Sequence, residues 1–152
     1  MNKVFEVERL VRHGHTDPAG IVYYPRYYEM INDSIEDMFR EVFARSFGTM
    51  HLKDFKGVPT VKMETQFLSP SYCDDILRFC VQVIKLGTSS MTLEITAYCG
   101  EEKRLIAHPT LVFCDLKEMK SIPFDDELRH KISKYLIDDL ALNKNEDKED
   151  LS

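Results

Sequence analysis

Hydrophobic residues recur at two different spacings along the chain, and each spacing predicts a different kind of element. After residue 23, apolar side chains return every three or four positions, which predicts one amphipathic helix of about five turns. The repeating residues are Tyr24, Tyr27, Tyr28, Ile31, Ile35, Met38, Phe39 and Val42. Pro25 suits the first turn of this helix, where a missing N–H group loses no partner. Gly48 and residues 54–57 are expected to mark its end and a connecting loop.

Five strand-like segments, one before the helix and four after it, hold most of the other apolar residues, and apolar and polar residues alternate along 58–68, 75–86 and 89–99. The segments are 3–12, 58–68, 75–86, 89–99 and 103–115. A period of two over this many segments is typical of an antiparallel sheet with one buried face. A second, shorter helix is predicted over about 126–140, with Asp125 as its N-cap.

The predicted order is strand, long helix, four strands and short helix, which is an α+β arrangement. A helix with one broad apolar face is best buried when a five-stranded antiparallel sheet wraps around it. We expect a single domain over residues 1–142 and a polar, disordered tail over 143–152. Such a sheet also leaves edges, and an edge is a place where a second subunit can pair.

Composition and charge exclude several function classes. The net charge of −6 argues against a general nucleic-acid binder. No apolar run approaches the length of a membrane span, and the N-terminus lacks the apolar core of a signal peptide. We therefore expect a cytoplasmic protein with neither nucleic acid nor membrane as a partner. No metal is predicted, because the cysteines lack a C-x-x-C spacing and His13 and His15 lack a third ligand.

The most informative segment runs from Thr16 to Pro25. It places Asp17 in a turn-forming Asp-Pro-Ala-Gly sequence directly before the long helix. A helix start exposes unpaired N–H groups and the positive end of the helix dipole. A carboxylate close to such a helix end can attack a carbonyl while the N–H groups stabilise the oxyanion. The segment favours an acyl-transfer hydrolase, although aspartate in such a turn often only caps it.

Residues 17–28, Asp-Pro-Ala-Gly-Ile-Val-Tyr-Tyr-Pro-Arg-Tyr-Tyr, resemble the signature of the hotdog-fold thioesterases, specifically the 4-hydroxybenzoyl-CoA thioesterase family. The sequence Phe-Leu-Ser-Pro at 67–70, the pair Asp74-Asp75 and the turn at 87–90 extend this resemblance to about residues 5–138. It implies a hotdog fold and an acyl-CoA thioesterase with no cofactor, since coenzyme A is part of the substrate. It also implies a homodimer or homotetramer with active sites at the subunit interfaces.

The resemblance assigns roles to particular residues. Asp17 matches the catalytic carboxylate, acting as nucleophile or general base, and Tyr24 matches the position whose backbone N–H polarises the thioester carbonyl. The turn at 85–90 matches a region that contacts the CoA nucleotide, but it lacks the adjacent basic residues that relatives carry there. The predicted substrate-binding residues are Tyr23, Val58, Pro59, Lys85, Ser89 and Ser90.

Several alternatives stay open at this level. Some hotdog enzymes carry their carboxylate on the central helix, so Glu29, Asp33 and Glu36 are weaker candidates for the role of Asp17. The substrate could be a thioester of acyl carrier protein instead of CoA, or the chain could bind acyl-CoA without hydrolysing it. For a CoA substrate, the acyl group is expected to be aromatic or short.

Overall fold

The computed structural model describes residues 3–137. The helices are α1 (Tyr24–Glu41), α2 (Phe47–Leu52) and α3 (Asp126–Ser133), and a turn of 3₁₀ helix spans His13–His15. The strands are β1 (Phe5–Leu10), β2 (Lys56–Gly57), β3 (Thr60–Phe67), β4 (Ile76–Leu86), β5 (Ser90–Cys99), β6 (Glu102–Val112), β7 (Cys114–Asp115) and β8 (Lys120–Ser121). The predicted tail at 143–152 lies outside the described residues. None of the helices in the described region is both long enough and apolar enough to cross a bilayer.

The main sheet has five antiparallel strands in the order β1-β4-β5-β6-β3. As the alternation in the sequence predicts, every second residue of the central strands is buried on one face of the sheet. These buried residues include Leu77, Phe79, Val81, Val83, Met91, Leu93, Ile95, Ala97, Leu105, Ala107 and Leu111. The predicted α+β class with a five-stranded antiparallel sheet is confirmed.

Helix α1 packs its apolar stripe against the buried face of this sheet, and the two together form the hydrophobic core. The stripe contains one polar residue, Ser34, which is fully buried. Its hydroxyl donates to the Met30 carbonyl at 2.7 Å and accepts from Arg9 Nε at 3.2 Å, so the group remains hydrogen-bonded. Arg9 of β1 also pairs with Asp37 of α1. These contacts fix the helix across the sheet.

Two predictions about helix ends are wrong. Gly48 does not end α1, which stops at Glu41; it lies inside α2, a six-residue helix that is capped by Ser46. Helix α3 starts where it was expected to start, with Asp125 as its cap, and the Asp125 side chain accepts a hydrogen bond from the Leu128 N–H at 2.9 Å. It ends at Ser133, seven residues before the predicted end, and residues 135–137 instead pair with Val83 of β4.

Strand β3 is an exposed edge of the main sheet. It pairs with β6 on one side, and its Val61 and Phe67 side chains are 61% and 47% exposed. A large exposed apolar side chain on an unpaired strand is a common sign of an interaction surface. This edge runs directly into the site described next.

Candidate active site

Asp17 lies in a tight hairpin turn that feeds into α1. The Asp17 N–H donates to the Ile21 carbonyl, and the Gly20 N–H donates to the Asp17 carbonyl, both at 2.9 Å. Gly20 has a φ of +83°, a backbone conformation that residues other than glycine rarely adopt. These features define a type I turn followed by a glycine bulge, a common three-residue hairpin connection. The Asp-Pro-Ala-Gly sequence therefore folds the chain back on itself.

Asp17 is a partly exposed residue, and one oxygen of its carboxylate caps this turn. Asp17 Oδ1 accepts the Ala19 N–H at 2.8 Å. The turn-capping alternative raised by the sequence is therefore realised in the structure. This capping role is compatible with a catalytic role for Asp17, because the second carboxylate oxygen, Oδ2, has no hydrogen-bond partner within residues 3–137.

The hairpin also fixes the start of α1. The Tyr23 N–H donates to the His15 carbonyl at 2.9 Å, and Thr16 forms a bridge with Val22. Tyr23 is the N-cap residue and Tyr24 the first residue of the helix, with Pro25 following. In the described part of the chain no acceptor is bound by the Tyr24 N–H, as expected for the first residue of a helix.

An apolar pocket of about 310 Å³ opens beside the helix start. Its walls come from the end of the hairpin, the first turn of α1 and the segment that follows β3. The lining residues are Ile21, Val22, Tyr24, Tyr27, Phe67, Leu68, Ser69 and Pro70. The Phe67 ring lies 5.8–6.3 Å from the rings of Tyr24, Tyr27 and Tyr28, measured between centroids. The pocket therefore offers aromatic surfaces next to an unpaired N–H group.

A polar network supports the walls of this pocket from behind. Tyr27 is buried, and burial raises the pKa of its hydroxyl although a hydrogen bond with Ser71 partly offsets this effect. Arg104 of β6 donates to Ser71 Oγ at 3.1 Å and to Asp75 Oδ2 at 2.8 Å. Burial also acts to raise the pKa of Asp75, but the Tyr72 N–H and the Arg104 guanidinium outweigh it, so the pKa is lowered.

The predicted site residues divide between two ends of the sheet. Asp17, Tyr23 and Tyr24 lie together at the end where β3 finishes. The other predicted residues, Val58, Pro59, Lys85, Ser89 and Ser90, lie at the opposite end, where β3 begins and β4 turns into β5. The eight residues of β3 place its two ends about 23 Å apart. A single chain therefore does not bring the two groups together.

The second group forms a cluster of its own. The Pro59 carbonyl accepts the Val112 N–H at 3.1 Å, and the Ser89 carbonyl accepts the Phe113 N–H at 2.7 Å. Lys85 is exposed near this cluster, and Arg129 of α3 donates to the Gly87 carbonyl at 2.8 Å. The β4–β5 turn thus has a cation nearby that the local sequence did not indicate.

The competing carboxylates on α1 are placed less favourably for chemistry. Glu29 is exposed and pairs with Arg26 at 2.9 Å, and Glu36 pairs with Arg40 at 3.5 Å. Asp33 is exposed on the helix surface. None of the three lines the aromatic pocket; Asp17 does not line it either, but it lies on the hairpin that carries the lining residues Ile21 and Val22.

Comparisons with known proteins identify the family. The sequence profile described as "Thioesterase-like superfamily" matches residues 11–132. The chain belongs to the thioesterase-like superfamily. A 1,4-dihydroxy-2-naphthoyl-CoA hydrolase from Thermosynechococcus vestitus is 28% identical over 127 residues, which cover 81% of this chain and 84% of that protein.

Solved structures of this superfamily share the fold. A thioesterase superfamily protein from Jannaschia sp. CCS1 has a TM-score of 0.84 and 25% identity, covering 91% of this chain and 96% of that one. A 1,4-dihydroxy-2-naphthoyl-CoA thioesterase from Synechocystis has a TM-score of 0.79 and 21% identity, covering 86% and 96%. The predicted hotdog fold and the predicted enzyme class, thioester hydrolase, are confirmed.

Proposed function

We propose that this thioesterase-superfamily protein hydrolyses an aromatic acyl-CoA to the free acid and CoA. The supporting observation is the pocket beside α1, where aromatic side chains surround an unpaired backbone N–H and Asp17 lies on the adjoining hairpin. A relative that hydrolyses 1,4-dihydroxy-2-naphthoyl-CoA favours a hydroxylated aromatic acyl group. Assignment to the 4-hydroxybenzoyl-CoA family in particular stays a prediction, as does the cytoplasmic location.

In the proposed reaction the thioester carbonyl lies between Asp17 and the start of α1. The Tyr24 N–H donates to the carbonyl oxygen and stabilises the negative charge that develops there. As nucleophile, Asp17 forms a mixed anhydride while the C–S bond breaks and CoA leaves as the thiolate; water then cleaves the anhydride. As general base, Asp17 instead removes a proton from the water that attacks the carbonyl directly.

The Asp17→Asn variant tests this proposal. Asparagine keeps a carbonyl oxygen for the Ala19 N–H, so the turn is retained while the negative charge is lost. We expect kcat for aromatic acyl-CoA to fall by about a hundredfold or more. Thiol release from a panel of benzoyl-, hydroxybenzoyl-, naphthoyl- and acetyl-CoA would be measured for each variant.

Glu29→Gln is the matched control, because it neutralises an exposed carboxylate on α1, the helix that carries the alternative candidates for the catalytic carboxylate. It should leave kcat within about twofold of the wild type, as surface substitutions usually do. Full activity of Asp17→Asn would remove Asp17 from the mechanism. Preferential turnover of the acyl group on acyl carrier protein, or tight acyl-CoA binding without thiol release, would favour one of the two alternatives instead.

We also propose that two copies pair through β3 to complete each site. An antiparallel pair of β3 strands related by a twofold axis would place the end of one strand beside the beginning of the other. The Asp17 and Tyr24 end of one copy would then meet the Val58, Pro59 and Lys85 end of the second. This arrangement accounts for the separation of the predicted site residues within one chain.

A further inference from the structure

Arg104 joins the interior of the sheet to the loop between β3 and β4. Its guanidinium Nη1 donates to the Pro70 carbonyl at 2.9 Å, to Ser71 Oγ at 3.1 Å and to Asp75 Oδ2 at 2.8 Å. Its backbone carbonyl accepts from Leu68 at 2.9 Å and from Ser69 at 3.2 Å. One residue therefore holds the loop at five points, through both its side chain and its main chain.

The same loop carries one wall of the aromatic pocket and is bonded to the other wall. Leu68, Ser69 and Pro70 line the pocket on the β3 side. The carbonyl of the next residue, Ser71, accepts the N–H of Val22 from the opposite wall at 2.9 Å. Val22 in turn bridges to Thr16, next to Asp17, and lies two residues before Tyr24. The loop thus ties the β3 wall to both proposed catalytic positions.

The hydrogen bonds of the Arg104 side chain are partly shielded from water. The Arg104 side chain is 12% exposed and Asp75 is 24% exposed, so their hydrogen-bonded ion pair is poorly screened by water. The more exposed Glu102 carboxylate lies 2.7 Å from Arg104 Nε. Asp75 also accepts the Tyr72 N–H at 2.9 Å, which anchors the far end of the loop.

We propose that Arg104 is a positioning residue for thioester hydrolysis. Through Ser71 and Asp75 it sets the distance between the two pocket walls, and so holds the Tyr24 N–H in position to bind the thioester carbonyl next to Asp17. Arg104 itself touches neither the reacting atoms nor the pocket surface. The inference rests on the proposed function for its catalytic consequence, but the geometry it describes can be tested separately.

The test compares Arg104→Met, Arg104→Lys and Asp75→Asn by kinetics and by amide hydrogen exchange. For Arg104→Met we expect kcat to fall by about tenfold to a hundredfold with little change in KM, because misplacement of catalytic groups acts mainly on the transition state. The Val22 amide should exchange faster, since its acceptor Ser71 is no longer held. Arg104→Lys retains the charge but not the fork of donors, so it should recover part of kcat.

Arg78→Met is the matched control. Arg78 lies on β4, forms an ion pair with Glu6 at 3.3 Å and stacks on Tyr98, away from the pocket. Its loss should lower thermal stability without changing kcat or the exchange of Val22. If Arg104→Met lowers stability but keeps kcat per folded molecule and Val22 exchange unchanged, the positioning role is wrong. If the wild type hydrolyses no thioester, the proposed function falls, while faster Val22 exchange in the variants would still establish the link between the walls.

Discussion

At the scale of single residues, Phe67 shows how an exposed apolar side chain can define a pocket. It lies at the end of an edge strand, is 47% exposed, and approaches three tyrosines of the first turns of α1. An exposed aromatic residue on a strand end has no obvious role within one chain. Under the proposed function, it would provide a flat surface for an aromatic acyl group beside the unpaired Tyr24 N–H.

Replacing Phe67 with alanine should therefore change substrate preference. Ring–ring contacts contribute about 0.5–1.5 kcal/mol, so kcat/KM for an aromatic acyl-CoA should fall by about twofold to tenfold. A short aliphatic acyl-CoA should be affected less. Steady-state kinetics on benzoyl-CoA and acetyl-CoA would measure this, with Leu52→Ala, which removes a 78% exposed side chain outside the pocket, as the control. Equal losses on both substrates would argue against an acyl pocket at Phe67.

At the scale of elements, the hairpin before α1 depends on the backbone of Gly20. Its φ of +83° is unfavourable for alanine, although no atom lies within 4 Å of the added Cβ. Gly20→Ala should destabilise the protein by about 1 kcal/mol through backbone strain alone. Because the turn carries Asp17, kcat should fall as well, by about tenfold.

Gly100 provides a control with the same local chemistry. It has φ of +60°, lies in the β5–β6 turn and also has open space around its Cβ position. Gly100→Ala should lower stability by a similar amount and leave kcat unchanged. Thermal unfolding and kinetics on both variants would separate the two effects, and an equal fall in kcat would show that general destabilisation is the cause.

The cap residue of helix α3 forms an ion pair with Arg45, in the segment between α1 and α2. Asp125 accepts bonds from both Nη atoms of Arg45, at 2.5 and 2.6 Å, and the bonds from Arg45 lower the pKa of Asp125 from its ordinary value of 3.8. A carboxyl group with a lowered pKa stabilises the folded state above its unfolded pKa. That stabilisation is lost as the pH falls through the folded pKa.

The Asp125→Asn variant should consequently lose stability at neutral pH but not in acid. Asparagine can still cap Leu128, so the difference from the wild type reports the charge. Because the Asp125 side chain is 43% exposed, we expect a difference below about 1 kcal/mol at pH 7, shrinking once the pH drops below about 4. Urea unfolding at several pH values would measure it. Asp126→Asn, which removes a neighbouring charge outside the Arg45 pair, should show a smaller effect.

At the scale of the whole molecule, one chain carries the two groups of predicted site residues at opposite ends of its sheet. Pairing of β3 with a second copy would unite them. Val61 lies where the register between β3 and β6 shifts, and it has no partner residue in β6. Proline at this position should therefore obstruct a second copy more than it disturbs β6.

We expect Val61→Pro to be monomeric and to have lost most of its thioesterase activity, whereas Val61→Ala should remain dimeric or tetrameric and active. Analytical ultracentrifugation and thiol-release assays at matched concentrations would decide this. A folded Val61→Pro monomer with full activity would show that one protomer contains a complete site.

The sequence by itself determined the elements that bury one face. Helix α1 and the strands β4, β5 and β6 were predicted because a residue facing the core must recur every 3.6 positions in a helix and every second position in a strand. The Asp125 cap and the turn at Asp17 were predicted because their hydrogen bonds join residues two or three positions apart. Helix α2 was missed, since six residues are too few to show a period.

Only the tertiary structure decided which distant residues meet at the pocket. Arg104 and Val22 are connected through Ser71, and no local pattern relates three positions so far apart in the chain. Phe67 follows the same alternation as the core residues of other strands, and its exposure arises because β3 is an edge. The separation of Lys85 from Asp17 likewise follows from strand order and direction. These features depend on how the sheet packs around α1. That packing is set by the free energy of the whole chain, so it cannot be predicted from any short segment of the sequence.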